Sequence, residues 1–327
     1  MALPDLNVDS LIKFKLIHAG SDDSKSISVS AKILGTFGEF TLSPVLRIEL
    51  SPVDGVTKSM PPEAVLKLYD RRCMVNTRAD FDEGRPFTHQ KEREYRQYLR
   101  ACSQGNILPC DFDDPVFVDE TEMSDGQFEA YLEHLCRKMF ADEFSAYQRL
   151  RTLQGTRVPC LYGTVEYQPP PTIDEYGSDD LDIVHGLLLE YIPSISLRSF
   201  VDIWHTNHDP PSILSPVCDD AVVLINQISD HSILNTDVRL DNILVRLLTS
   251  PGSVPMLDNL PPNPCVLIDL AQCRLRREDE NEDAWIAGKW SEDEEGAVGH
   301  VLVGLLKRLG HEDVWKYSPS FQYYRPL

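Results

Sequence analysis

Asp237, Asn242 and Asp269 are the residues of this chain whose types and spacing best suit chemistry. The first two stand as D-x-x-x-x-N within Asn235-Thr236-Asp237-Val238-Arg239-Leu240-Asp241-Asn242, directly ahead of the apolar run Ile243-Leu244-Val245. Asp269 closes a second apolar run, Cys265-Val266-Leu267-Ile268. Short β-type runs in these positions set two acids and an amide at strand ends, joined by a loop rich in Pro and Gly. An amide oxygen and a carboxylate so placed can share a hard divalent cation with a polyphosphate. A further carboxylate, Asp237, can orient an attacking hydroxyl or accept its proton. The chemistry this suits is phosphoryl transfer.

Elements able to position these groups run through the rest of the chain. Residues 26 to 70 carry three β-type runs, Ile27 to Ile33, Val45 to Leu50 and Ala64 to Tyr69, separated by turns. A charged stretch follows over about 71–127, with a helix predicted around Gln90 to Cys102 and an acidic, irregular part after Pro109. From Gln127 to Leu153 the pattern predicts a long helix, in which Phe140, Phe144, Tyr147 and Leu150 share one face. Val158 to Val165 and Gly186 to Tyr191 read as two more strands, flanking a Pro-rich, acidic loop from Gln168 to Asp182. Helices are predicted at Ser196 to His205, Val217 to Ser229 and Asp293 to Leu309. The segment after Asp269 carries Arg274, Arg276 and Arg277, then nine acids between Glu278 and Glu295 with the single Lys289. It reads chiefly as a solvated charged loop.

Two further side chains could join the site. Lys67 lies within Ala64-Val65-Leu66-Lys67, on a strand face shared with Val65 and Tyr69, from which an ammonium can reach a phosphate. Glu143 lies beside the apolar stripe of the long helix, where a carboxylate could pair with that lysine.

Composition narrows the partners. The 52 acids against 31 bases leave a net charge of −21, which disfavours nucleic acid and anionic membranes. A nucleotide site would need local basic groups and metal. The eight cysteines contain no C-x-x-C pair and read as buried small residues of a reducing compartment. His205, His208 and Cys218 lack the ligand set of a zinc site. No basic, apolar leader opens the chain and no run reaches 18 apolar residues. The expectation is an intracellular protein, cytoplasmic or nuclear, with no signal peptide or transmembrane segment.

These blocks, in this order, resemble the protein-kinase superfamily. The Ala64-Val65-Leu66-Lys67 run resembles the strand with the ATP-contacting lysine, and the Ala141 to Tyr147 segment resembles the helix with its partner, Glu143. Leu187-Leu188-Leu189-Glu190-Tyr191-Ile192 resembles the last N-lobe strand and the hinge that receives adenine. Asp237 falls at the catalytic Asp, Asn242 and Asp269 at the metal-binding positions, and Arg239 where many kinases carry a phosphate-neutralising lysine. Leu153-Gln154-Gly155 with Val158-Pro159, the Leu234 to Arg239 block and Glu294-Glu295-Gly296-Ala297-Val298-Gly299 resemble a narrower group, uncharacterised fungal protein-kinase-like proteins.

The resemblance implies an α+β, two-lobed protein-kinase-like fold. Its N-lobe, 1–190, would hold an antiparallel five-stranded sheet with one main helix and the insertion at about 71–127. Its C-lobe, 191–327, would be mostly helical and shortened. Implied cofactors are ATP and Mg2+, bound between the lobes, with an unidentified protein or small-molecule acceptor. The sequence departs from the family in four places. Asn235 stands for its His, Leu270-Ala271 for Phe-Gly, Gly35-Thr36-Phe37-Gly38 for a fuller glycine loop, and too little chain follows Asp269 for a standard peptide platform. These departures point to the alternative function, a pseudokinase that serves as an acidic protein-binding scaffold.

Overall fold

Alternation of apolar and polar residues builds the first strands of the molecule. The computed structural model describes residues 6–18, 26–38, 42–51, 60–79, 84–113, 123–170, 183–247 and 260–320. Two compact units divide the chain, Met1–Ala141 with Leu161–Tyr191, and Asp142–Cys160 with Ile192–Leu327.

The first unit contains a six-stranded closed barrel. Its strands are β1 (Leu11–His18), β2 (Ser26–Thr36), β3 (Val45–Leu50), β4 (Glu63–Leu68), β5 (Leu161–Tyr167) and β6 (Val184–Glu190), in the order β1-β2-β3-β4-β6-β5. This corrects the expectation of a five-stranded sheet. The additional strand is β1, whose Ile12, Phe14 and Leu16 face inward while Leu11, Lys13 and Lys15 face out. Phe14 pairs with Val29 of β2 and with Tyr167 of β5, so β1 joins what would otherwise be two open edges. Inward residues such as Val29, Ile33, Ile48, Leu66, Val165 and Leu188 fill the barrel.

Glycines permit two close strand approaches. A Cβ on Gly163 would lie 2.2 Å from the Ile17 carbonyl oxygen, and one on Gly186 would lie 2.5 Å from that of Lys67. Gly35 sits instead at a register shift in β2, and Gly38 at φ 72°. Phe37 N donates to the Val45 carbonyl between them, the geometry of a strand connection.

The charged stretch after β4 folds around buried ion pairs. It forms α1 (Val75–Ala79) and α2 (His89–Ser103), the latter capped by Thr88 Oγ1 accepting from Lys91 N. The long helix, α3, runs Asp125–Arg149. Glu129 of α3 is fully buried and receives Arg71 and Arg78, while Arg71 also engages Glu92 of α2. Part of the acidic stretch after Pro109, 114–122, lies outside the described residues, as does 171–182 of the predicted Pro-rich loop.

The second unit is mainly helical. It comprises the end of α3, then β7 (Ser194–Ser196), α4 (Leu197–Asn207), α5 (Pro211–Ser229), β8 (Ile233–Asn235), β9 (Ile243–Arg246), β10 (Cys265–Leu267), β11 (Cys273–Leu275), α6 (Glu282–Glu292) and α7 (Glu294–Arg308). One small sheet has the order β10-β9-β7 and another pairs β11 with β8. Helix α6 corrects the reading of 278–295 as a solvated loop. Asn281 caps it, Trp285 and Lys289 are buried one turn apart, and Asp293 in left-handed backbone ends it and caps α7. Burial of one face overrides the charge of the others. Among the described residues no helix is long and apolar enough to cross a membrane.

Candidate active site

The second unit assembles most of the site from two β-connections. β8 delivers Asn235, and the chain then turns through Asp237 to Asn242 before β9. β10 delivers Ile268 and Asp269. Because β9 and β10 pair antiparallel, Leu267 faces Ile243 and Ile268 N donates to the Asn242 carbonyl at 2.9 Å. Asp269 is therefore the next residue beyond a direct backbone link to Asn242.

Asn242 is buried and its orientation is determined by its donors. Nδ2 donates to the Asp237 carbonyl at 3.0 Å and to Asp237 Oδ2 at 3.1 Å. That commitment leaves Oδ1 as the amide's ligand atom. Asp237 Oδ2 also accepts from Arg239 Nη2 at 2.7 Å, on a carboxylate 16% exposed. Asp237 N in turn donates to Asn235 Oδ1 at 2.9 Å. The Asn235 amide is thereby oriented, and its Nδ2 is a buried donor without a hydrogen-bond acceptor among the described residues.

Asp269 adopts left-handed backbone, φ 60°, an uncommon conformation for a residue with a Cβ but one that Asp and Asn tolerate best. The following residue, Leu270, donates its N–H to Glu143 Oε1 at 3.3 Å. Glu143 is fully buried, so it is not a solvated helix residue. Glu143, Glu294 and Asp269 all act on the Cys273 thiol. Burial first, then these three negative charges, push it well above the usual thiol range.

Glu294 and Lys289 complete this loop's support, and the sequence reading did not assign them a role there. Glu294 Oε1 accepts from Asn235 N at 2.7 Å. Lys289 Nζ donates to Glu294 Oε2, to Ser229 Oγ at 2.9 Å and to the Ile233 carbonyl at 2.6 Å. Both side chains are buried, and desolvation pushes each toward its neutral form, Lys289 down and Glu294 up, against their mutual attraction. A signal was present: Lys289 lies four residues after Trp285, on the face that α6 buries. The arginines of this segment pair with its own acids. Arg274 grips Glu280 with two bonds, at 2.8 and 2.9 Å, and that contact leads in holding the Glu280 carboxyl at about 2.

Lys67 is on β4 of the first unit, 5% exposed, with Nζ 5.6 Å from the Tyr69 ring centroid. Glu190 ends β6 opposite Ala64, and Tyr191 lies under the Arg47 guanidinium at 4.3 Å. Ile192 opens the second unit, with its carbonyl accepting from Ser194 Oγ at 2.8 Å. Of the set aside as unfit for zinc, His205 contacts His311, Nδ1 to Nε2 at 2.8 Å, and Cys218 is buried.

Magnesium suits the oxygen donors Asn242 Oδ1 and Asp269, since it binds through one or two protein groups and keeps water and phosphate ligands. Among the described residues no group of three His, Cys, Asp or Glu side chains forms a metal cage.

No protein-family model and no curated protein matches the chain. Among solved structures it is similar to "WaaP in complex with acyl carrier protein", at 13% identity and a TM-score of 0.36, covering 80% of this chain and 69% of that one. It is also similar to "ROP18 kinase domain in complex with AMP-PNP and sucrose", at 12% identity and a TM-score of 0.43, covering 84% of this chain and 59% of that one.

Proposed function

We propose that the chain is a protein-kinase-like phosphotransferase that moves the γ-phosphoryl group of ATP to a hydroxyl acceptor. One observation carries this reading. Asn242 is hydrogen-bonded to Asp237 and linked through Ile268 to Asp269, so an amide oxygen, a candidate base and a second carboxylate are supported together. Asn242 and Asp269 would hold Mg2+, which when bound with ATP offsets phosphate charge. Asp237 would orient the acceptor hydroxyl and take its proton. Arg239, exposed beside Asp237, would meet the transferring phosphoryl group. Lys67 would contact the phosphates, Glu143 would orient that lysine, and backbone groups of Glu190, Tyr191 and Ile192 would receive adenine. The acceptor is a small molecule or a protein.

The second reading, a pseudokinase scaffold, is favoured by Asn235, Ala271 and the Arg239 contact on Asp237 Oδ2. Thermal melting with Mg-ATP, ATP alone and Mg2+ alone separates the first requirement of the two. Phosphotransferase function requires a metal-dependent stabilisation of about 2.7 kcal/mol at ~100 times the dissociation constant. No shift under any condition would exclude it. Binding without transfer or hydrolysis of labelled ATP would establish the scaffold.

A further inference from the structure

We propose that Cys102 and Cys110, in the first unit, form a reversible oxidation site, a thiol pair that a hydroperoxide converts to a disulfide. All eight cysteines are thiols, and five of them, Cys73, Cys136, Cys218, Cys265 and Cys273, are buried. Burial, the largest influence on each, pushes these five above the ordinary thiol range, so they stay protonated and inert. Cys102, Cys110 and Cys160 are partly exposed. Cys160 belongs to the second unit, whereas the other two meet around one side chain, Tyr98.

The chain folds back to bring them there. Cys102 follows Tyr98 by one helical turn and packs against the cluster of Tyr95, Tyr98 and Ala130. Helix α2 then ends in a reversal. Gln104 N donates to the Arg100 carbonyl at 3.0 Å and Asn106 N to the Ala101 carbonyl at 2.9 Å, while Gly105 between them takes the left-handed φ of 72°. The returning segment passes Tyr98, whose hydroxyl accepts from Cys110 N at 3.2 Å. The same hydroxyl interacts with both thiols. Gln127 of α3 holds the second sulfur: its Oε1 accepts from Ser124 N at 3.0 Å, which turns Nε2 onto Cys110 Sγ at 3.6 Å. Two residues on, the Phe112 ring lies 5.8 Å from that of Tyr131 and 5.7 Å from that of His134, centroid to centroid. The segment is thus fastened both at Cys110 and beyond it.

Residues 104–110 lie outside any helix or strand, so the adjustment that disulfide geometry requires is taken up there without breaking a strand ladder. With hydrogen peroxide as oxidant, one sulfur attacks a peroxide oxygen and the O–O bond breaks. A sulfenic acid forms, and the departing hydroxide takes up the thiol proton as water. The other sulfur then attacks the sulfenic sulfur, the S–S bond forms, the S–O bond breaks, and a second water carries off the remaining proton. The pair has given two electrons to the peroxide, and a dithiol reductant returns them by exchange.

Hydrogen peroxide added to the full chain, followed by capture of the remaining thiols with N-ethylmaleimide in denaturant and by peptide mass spectrometry, tests the site. The expected result is the loss of two of the eight thiols, mapped by fragmentation to Cys102 and Cys110 and recovered with dithiothreitol. Cys102→Ser and Cys110→Ser should each abolish the bridge and leave the partner as a sulfenic acid that dimedone captures. Should one variant fail to fold, the other and the mapped parental bridge decide. Retention of all eight thiols, a loss mapped to other cysteines, a bridge between two chains on non-reducing electrophoresis, or a bridge that persists in either variant overturns the inference.

Discussion

Asn235 N donates to Glu294 Oε1 at 2.7 Å, tying the loop that carries Asp237 to the first turn of α7. The anchor is itself held by Lys289, whose ammonium is buried between Glu294, Ser229 and the Ile233 carbonyl. Removing one member of a buried pair leaves a desolvated charge behind. Lys289→Met should therefore cost about 3–5 kcal/mol. The double variant Lys289→Met/Glu294→Gln should recover much of that loss, because neutral Gln still accepts from Asn235 N. Urea denaturation of the parent, both single variants and the double variant measures the coupling; additive losses would refute it.

Asp237 and Asp269 should fail in different ways. Asp237→Asn should keep metal-dependent ATP binding while lowering turnover by about 10²–10⁴-fold. Asp269→Asn should weaken binding only when Mg2+ is present. Titration calorimetry with and without the metal, beside a single-turnover assay, distinguishes them, and parental behaviour in both would reassign the site.

The backbone of Asp269 gives a further contrast. At φ 60° Asn is tolerated and Ala is not, so Asp269→Ala should be less stable than Asp269→Asn by about 1–3 kcal/mol. Chemical denaturation compares the two directly.

Closure of the barrel predicts an asymmetry among its glycines. Gly163→Ala sets a Cβ against the Ile17 carbonyl and should cost about 1–3 kcal/mol, whereas Gly35→Ala meets nothing within 4 Å and should be close to neutral. Equal melting temperatures would contradict the strand approach at Gly163.

Acid should loosen the ion network between α2, α3 and the turn after β4. Burial would raise the Glu92 pKa, but the charge of Arg71 and bonds from Arg71 and Arg96 outweigh it and hold the group below its ordinary 4.5. A carboxylate depressed on folding contributes fully above its unfolded pKa and loses that contribution as pH falls through the folded value. The stability gap between parent and Glu92→Gln should thus be constant above pH 4.5 and shrink below it. A gap independent of pH would mean that Glu92 acts by packing alone.

Much of the architecture was legible in local pattern. Alternation located β2 and β3, apolar runs located β4 and β6, and the stripe through Phe140, Phe144, Tyr147 and Leu150 located α3. β1 was equally regular but stood outside the blocks that carried the chemistry, so the barrel read as an open sheet. Helix α6 was hidden for another reason. Its acids dominate the composition, and only burial of Trp285 and Lys289 reveals the face that orders it.

By itself the sequence determined which polar groups the chain carries and which strand ends and helices bear them, because periodicity and residue type act over a few neighbours. Tertiary structure alone decided that β1 closes the barrel, that Asn242 turns its amide onto Asp237, and that Glu294 with Lys289 supports the Asn235 loop. Two of those relationships, β1 with β5 and Asn235 with Glu294, join residues far apart in the chain, and the others are set by burial rather than by spacing. They depend on burial, where an unpaired charge or amide is costly, and local spacing carries no record of that cost.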